Sequence, residues 1–443
     1  MNVGGVMTRL LYSMVLWLIQ PLMRARLKRR GVRESGYLLG VEERFGRYAS
    51  EPLAGQQLMV WVHAVSLGET RAVAVLVARL RERLPGMRLL LTHGTATGRE
   101  EGVKLLQPGD LQTWQPWDTP FAVRRFLDHF KPSIGVLMET EIWPNLTQEC
   151  QRAQVPLVLA NARMSEKSLA KGQRLSWLSR PAYGALTAVW AQTEADARRL
   201  RQLGARVSGV MGNLKFDATP NSQQVALGRE WRHRTGRPVV MIASSREGEE
   251  AQLLDVMSSE TNAVQLLIVP RHPQRFAAVA ALVESHGFAV SRRSTWGDAP
   301  AGLDAGRSTI WLGDSLGEMG LYYGLADVAL LGGSFEPLGG QNLIEAAACG
   351  CPVVMGPSTF NFAEAATLAQ EIGAAKRVEN MLAGVNSAVE LACDPAMLRR
   401  SQEASNAFAN SNRGATDRLT AAIAQILADR TVRRDQFISL AAR

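Results

Sequence analysis

Short apolar runs of four to seven residues alternate with amphipathic stretches along most of this 443-residue chain. Leu58–Ala64, Arg88–Thr92, Leu111–Trp114, Ile134–Met138, Pro156–Ala160, Ala188–Ala191 and Val207–Met211 read as strands. Helices are expected between most of them, for example from about Thr70 to Leu84 and near Arg99–Leu106. Strands separated by helical stretches imply parallel pairing through right-handed crossovers. A polar break around Asp217–Gln224 precedes a second series at Val239–Ala243, Gln265–Val269, Ser308–Trp311, Val328–Leu331 and Pro352–Met355. Beyond Glu379 the pattern turns helical, and such a tail often packs back across a domain junction. The pattern therefore predicts an α/β protein with two open sheets facing a cleft, residues 34–217 forming one domain and 218–443 the other. Ligands of such sheets sit outside the carboxyl ends of the strands, so residues just after each strand carry the functional argument.

The N-terminus departs from this alternation. Leu10–Met23 (LLYSMVLWLIQPLM) is apolar except near Gln20 and Pro21, whereas a spanning helix needs roughly 20 apolar residues. A secretory signal carries its charges before the apolar core; here they follow it. Residues 1–44 hold eight basic side chains against three acidic ones, out of a net charge of +9 for the chain. Residues 1–33 are therefore expected to be a membrane anchor, either a short span or a helix lying in the interface, with everything after Arg24 cytoplasmic. Anionic lipid headgroups suit the basic cluster; a buried amphipathic helix is the alternative. No aromatic-interleaved basic repeat, zinc pattern or helix-turn-helix signal points to nucleic acid. Cys150, Cys349, Cys351 and Cys393 are too few and too irregular for a disulfide framework, so reduced thiols are expected.

The richest candidate chemistry lies at 330–362, LLGGSFEPLGGQNLIEAAACGCPVVMGPSTFNF. A strand ends in Gly332-Gly333-Ser334, and Gly339-Gly340 opens a helix carrying Asn342 and Glu345. Glycines after a strand let a ligand approach the backbone, and a helix start offers N–H groups to a phosphate. Glu345 shares a helical face with Asn342 and can accept from ribose hydroxyls, which suggests a nucleotide-activated sugar. An ordinary glycine-punctuated crossover is the plain alternative. In the first half Glu69 sits in the first turn after a strand, where the helix dipole favours its anionic form. It suits a general base on an acceptor hydroxyl, or equally a common helix-start carboxylate. Glu139 and Glu141 follow the strand Ile134–Met138 and suit proton handling, sugar binding or capping. The Leu91–Gly98 loop can line an anionic acceptor, and Lys215 at the domain junction can meet a phosphate or carboxylate. Arg271 directly follows a strand and is placed for a phosphate or for solvent. Ser244–Glu247 and Ser315–Met319 also follow strands and can close around a base or phosphate. His63, His93 and His272 are dispersed with no HExxH or DxD pattern, so neither a metal nor another cofactor is expected.

Taken in order, SLGET (66–70), METEIWPN (138–145), ANARMS (160–165), GNLKFD (212–217), PRHP (270–273), GGSFEPLGGQNLIEAA (332–347) and MGPSTFNF (355–362) resemble the Kdo transferases. Those enzymes move 3-deoxy-D-manno-octulosonic acid (Kdo) from CMP-Kdo to lipid A precursor. The resemblance covers almost the whole chain. It implies the GT-B architecture of two facing Rossmann-like domains, and metal-independent transfer with inversion at the cytoplasmic face of the inner membrane. By motif position Glu69 would be the general base, with Glu139 and Lys215 stabilising the transition state. CMP would be held by Arg271, His272, the Leu316-Gly317-Glu318 turn, Gly333-Ser334 and the helix start Asn342-Leu343-Ile344-Glu345. Departing CMP leaves an electron-poor anomeric carbon, so cations for the leaving phosphate and a base for the nucleophile fit that step. One departure stands out: many family members carry histidines in the glycine-rich loop where this chain has Leu338 and Gln341. The competing expectations are another GT-B sugar transferase, a UDP-sugar epimerase, or a non-catalytic membrane-tethered nucleotide-sugar binding protein.

Overall fold

The structure, a computed structural model, describes residues 3–53, 57–256, 263–300 and 309–441. It divides into two compact units, Met1–Asp217 with Arg413–Arg443, and Ala218–Asn412. In the first unit the strands are β1 (Met59–His63), β2 (Arg88–His93), β3 (Leu111–Trp114), β4 (Ile134–Met138), β5 (Leu157–Ala162), β6 (Ala188–Ala191) and β7 (Val207–Val210). They form one sheet in the order β3-β2-β1-β4-β5-β6-β7, parallel throughout. Helices cover both faces, so β1, β4, β5 and β6 are buried along their whole length and appear in the sequence as continuous apolar runs. Alternate β1 residues serve opposite cores. Trp61 packs with Phe126, Leu137, Leu159 and Leu200, whereas Val60 and Val62 pack with Val73, Leu76 and Leu80. The second core also takes Leu419, Ile423 and Leu427 of the terminal helix Ala415–Ala441.

In the second unit the strands are β8 (Val239–Ser245), β9 (Gln265–Pro270), β10 (Ala289–Arg292), β11 (Thr309–Leu312), β12 (Val328–Leu331), β13 (Val353–Met355) and β14 (Ala375–Arg377). They too form a parallel sheet, in the order β10-β11-β9-β8-β12-β13-β14. The sequence pattern lacks β10 and β14 because both are edge strands with half-exposed residues and no apolar run. The expected strand at 308–311 begins at Thr309; Ser308 lies outside the described residues. Each sheet reverses its winding once, between β1 and β4 in the first unit and between β8 and β12 in the second. These are the switch points where open α/β sheets accept ligands.

The N-terminal apolar segment folds as a helix, Val3–Leu18, followed after Ile19 by a basic helix, Gln20–Arg33, with Pro21 in its first turn. Among the described residues no helix is long and apolar enough to cross a membrane. The short-span form of the anchor is therefore not found. Met7, Leu10, Leu11, Met14, Trp17 and Leu18 are exposed on the first helix, while its Tyr12 and Ser13 bond inward to Asp118 and Asn145.

Candidate active site

β1 and β4 lie side by side, pairing Val60 with Ile134 through His63 with Leu137, so their following loops emerge together at the first switch point. After β1, Ser66 caps the helix Leu67–Arg83 by accepting from the Glu69 N–H at 3.4 Å. The Glu69 carboxylate accepts in return from the Val65 N–H (2.9 Å) and the Ser66 hydroxyl (3.2 Å). This is a variant of the capping box, with the returning bond on the N–H one residue before the cap, and its Ser-x-x-Glu spacing is readable in the chain. The helix dipole suggested a readily ionised Glu69, and the structure corrects that. Burial pushes its pKa up to about 7, against the Val65 hydrogen bond and helped by the charges of Glu139 and Glu141. Desolvation outweighs the dipole because the carboxylate lies half-buried beside two others.

After β4, Glu139 takes a left-handed backbone (φ 54°), an uncommon conformation for a residue with a Cβ. Its peptide is held along the end of β5: the N–H donates to Ala160 O (3.1 Å), and its O accepts from the Arg163 N–H (3.2 Å). Lys215 Nζ lies 3.6 Å from Glu139 Oε1. Lys215 is presented by the short Leu214–Asp217 turn, which Asn161, itself left-handed at φ 52°, pins through its Oδ1 to the Leu214 N–H at 3.1 Å. Burial also raises the pKa of Glu141, whose Oε2 accepts from the Trp143 indole N–H at 2.8 Å. Glu69, Glu139, Glu141 and Lys215 are thus gathered at one place in the fold. His63 and His93, by contrast, are internal groups bonded to Thr92 and to Ala64 O, and burial lowers their pKa values to about 3 and about 4.

In the second unit the loops after β8 and β12 are tied together by Glu249, which the sequence pattern did not single out. Its fully buried carboxylate accepts from the N–H groups of Arg246 (2.9 Å), Gly333 (2.7 Å) and Phe335 (3.1 Å). Other N–H groups of the glycine loop are also bonded within the unit: Ser334 to Leu331 O, Gly339 to Ser358 Oγ, Gly340 to Gly333 O and Gln341 to Gly332 O. The open cradle suggested by the glycines is, in this structure, a closed and self-bonded turn. Gly332 is required there, since a Cβ would stand 2.3 Å from Ser244 O. Ser334 is buried, donating to Leu331 O (2.5 Å) and accepting from the Gly356 N–H (2.8 Å).

Asn342 caps the helix Leu343–Ala348 by accepting from the Ile344 N–H (3.2 Å), while the side chains of Leu343 and Ile344 are buried in the unit. Glu345 is half-buried in the first turn of that helix. Arg271 follows β9 with its N–H on Ser245 O (3.0 Å), and His272 comes next. Burial lowers the His272 pKa, with further lowering from the charges of Arg246, Arg271 and Arg275. Arg275 is neutralised by Glu250 at 2.7 Å. In the 316–318 turn Leu316 is exposed and Gly317 is left-handed (φ 80°), its O accepting from Gln224 Nε2 at 2.9 Å. Glu318 is paired with Arg293 (2.8 Å) and accepts from the Ser315 hydroxyl.

Residues 40–218 match the family model described as 3-deoxy-D-manno-octulosonic-acid transferase (kdotransferase). A 3-deoxy-D-manno-octulosonic acid transferase of Bordetella pertussis is 43% identical over 424 residues, spanning 93% of this chain and 98% of its own. The chain belongs to the Kdo transferase family. Another member, from Haemophilus influenzae, is 31% identical over 93% of this chain and 97% of its own. Among solved structures, a glycosyltransferase from Rickettsia africae superposes with a TM-score of 0.54 at 13% identity, over 85% of this chain and 99% of that one. A UDP-GlcNAc 2-epimerase from Neisseria meningitidis gives 0.53 at 12% identity, over 83% and 100%. Such distant likeness speaks for the fold alone: two parallel-sheet α/β units of the GT-B kind. The family membership makes this chain a glycosyltransferase.

Proposed function

We propose that this Kdo transferase moves Kdo from CMP-Kdo to a hydroxyl of lipid A precursor (lipid IVA), with inversion and without a metal. The observation that carries the proposal is the gathering of Glu69, Glu139, Glu141 and Lys215 at the first switch point, with Glu69 held near neutral pKa. Glu69 takes the proton from the acceptor hydroxyl, whose oxygen forms the new bond to the anomeric carbon as the bond to the CMP phosphate breaks. The leaving phosphate keeps that electron pair; Arg271 and Arg246 offer it positive charge, and His272, kept neutral by burial and by these cations, offers a hydrogen-bond donor. Glu139 and Lys215, mutually neutralised, stabilise the charge that develops on the sugar. Glu345 is assigned to the ribose hydroxyls of CMP. A transfer assay with radiolabelled CMP-Kdo, UDP-sugars and ADP-sugars in parallel tests the donor; transfer is expected from CMP-Kdo alone. Transfer from a UDP-sugar but not from CMP-Kdo would overturn the proposal.

The same proposal includes attachment to the cytoplasmic face of the inner membrane through a helix lying in the interface. Its support is the exposed face of Met7, Leu10, Leu11, Met14, Trp17 and Leu18, followed directly by Arg24, Arg26, Lys28, Arg29, Arg30 and Arg33. Apolar insertion and attraction to anionic lipid add in that geometry. Replacing Leu10, Trp17 and Leu18 by Glu is expected to abolish flotation with anionic vesicles while leaving the protein folded. Unchanged flotation would move the membrane-binding surface elsewhere.

A further inference from the structure

The helix Pro144–Arg152 begins directly after the Glu139–Trp143 segment, and its N-cap residue, Trp143, has no side chain able to cap it. The missing acceptor comes from elsewhere in the chain. Asp118, 2% exposed, accepts from the N–H groups of Asn145 (3.1 Å) and Leu146 (2.8 Å). Its backbone O accepts from Asn145 Nδ2 at 2.6 Å. Among the described residues no cation bonds to this carboxylate; its third donor is the Tyr12 hydroxyl, at 2.9 Å. Ser13 adds a weaker strap, its hydroxyl shared between Arg9 O (2.8 Å) and Asn145 Oδ1 (3.1 Å). Both come from the inner face of the Val3–Leu18 helix, whose other face is the exposed apolar surface.

A continuous path therefore runs from that helix to the carboxylates. Tyr12 holds Asp118, Asp118 caps the helix at Asn145 and Leu146, and Trp143 at the cap holds Glu141 through its indole. Glu139, in its left-handed conformation, is the first residue of the same segment. A residue in a sparsely populated backbone region keeps it only where the surroundings over-determine it. We propose that Tyr12 is a positioning residue: through Asp118 it sets the 139–145 segment, so that the N-terminal helix is a working part of the site as well as its attachment to the membrane. The inference rests on the function proposed above and deepens it.

Full-length Tyr12→Phe, which removes only the hydroxyl, is the test, alongside Leu382→Ser, an exposed position in the second unit, as a surface control away from the path. In detergent with CMP-Kdo and acceptor, Tyr12→Phe is expected to lower kcat about 10-fold, the size of one lost hydrogen bond to a buried carboxylate. Donor KM and vesicle flotation are expected to stay within about twofold of wild type, a split that general destabilisation would not give. Amide exchange at 139–147 is expected to speed up, whether or not the assay shows Kdo transfer. Failure of transfer in wild type would thus count against the function alone, while the exchange result still judges the path. Unchanged exchange at 139–147 overturns the proposal. So does a kcat loss matched by equal loss of donor binding and of flotation.

Discussion

Glu69→Gln is expected to lower kcat by roughly 10²–10⁴-fold while CMP affinity stays within about twofold of wild type. Gln keeps the shape and can still accept from the Val65 N–H, so the helix start survives; what is lost is the ability to take a proton. The pH profile gives a second, independent check. A general base works when deprotonated, and burial with two neighbouring carboxylates holds Glu69 near pKa 7. Activity should therefore rise with pH through a limb near 7, rather than being flat above the ordinary carboxylate range. Glu141→Gln removes one like charge, so the same limb should move to lower pH. Steady-state rates from pH 5 to 9 for the three proteins measure both effects. Retained transfer in Glu69→Gln removes Glu69 from the mechanism. A limb that moves upward in Glu141→Gln contradicts the charge argument.

Much of this was legible in the chain because parallel strands covered on both faces must be apolar throughout. Ile134–Met138 and Val328–Leu331 stand out for that reason, and so do the residues that follow them. The edge strands at Ala289–Arg292 and Ala375–Arg377 have one neighbour each and leave no such run. Glu69 could be found from its position after a strand, yet its protonation could not. The helix dipole is a local property readable from sequence, while the opposing burial and the charges of Glu139 and Glu141 come from distant segments. Asp118 and Glu249 were invisible for a related reason. The partners of Asp118 lie 27 or more residues away, and two of the three N–H groups on Glu249 lie 84 and 86 residues away, so the local sequence does not mark either as a buried clamp. The same holds for the N-terminal segment: its apolar run and basic sequel are plain, but its inward bonds through Tyr12 and Ser13 depend on the fold.

Glu249→Ala is the variant expected to damage the second unit most. Removing the carboxylate leaves the N–H groups of Arg246, Gly333 and Phe335 buried without their acceptor, three donors at once. Each orphaned buried donor costs about 1–3 kcal/mol, so a loss on the order of 3–5 kcal/mol is expected after partial relaxation. The turn that carries Gly333 and Ser334 is packed closely on β8, where a Cβ on Gly332 would stand 2.3 Å from Ser244 O. The functional consequence follows from the same bonds. Arg246 at one end of the clamp belongs to the cationic group around His272, and Gly333 and Phe335 at the other set the path into Asn342 and Glu345. Opening the turn releases both at once, so CMP affinity should fall at least about 10-fold together with the denaturation midpoint. Glu249→Gln separates the two causes: its carbonyl can still accept while its amide faces donors, so it should fall between wild type and Ala in both measurements. Urea denaturation and CMP titration on the same preparations decide the matter. A Glu249→Ala protein with wild-type midpoint and wild-type CMP affinity would show that the loop holds its shape without the carboxylate.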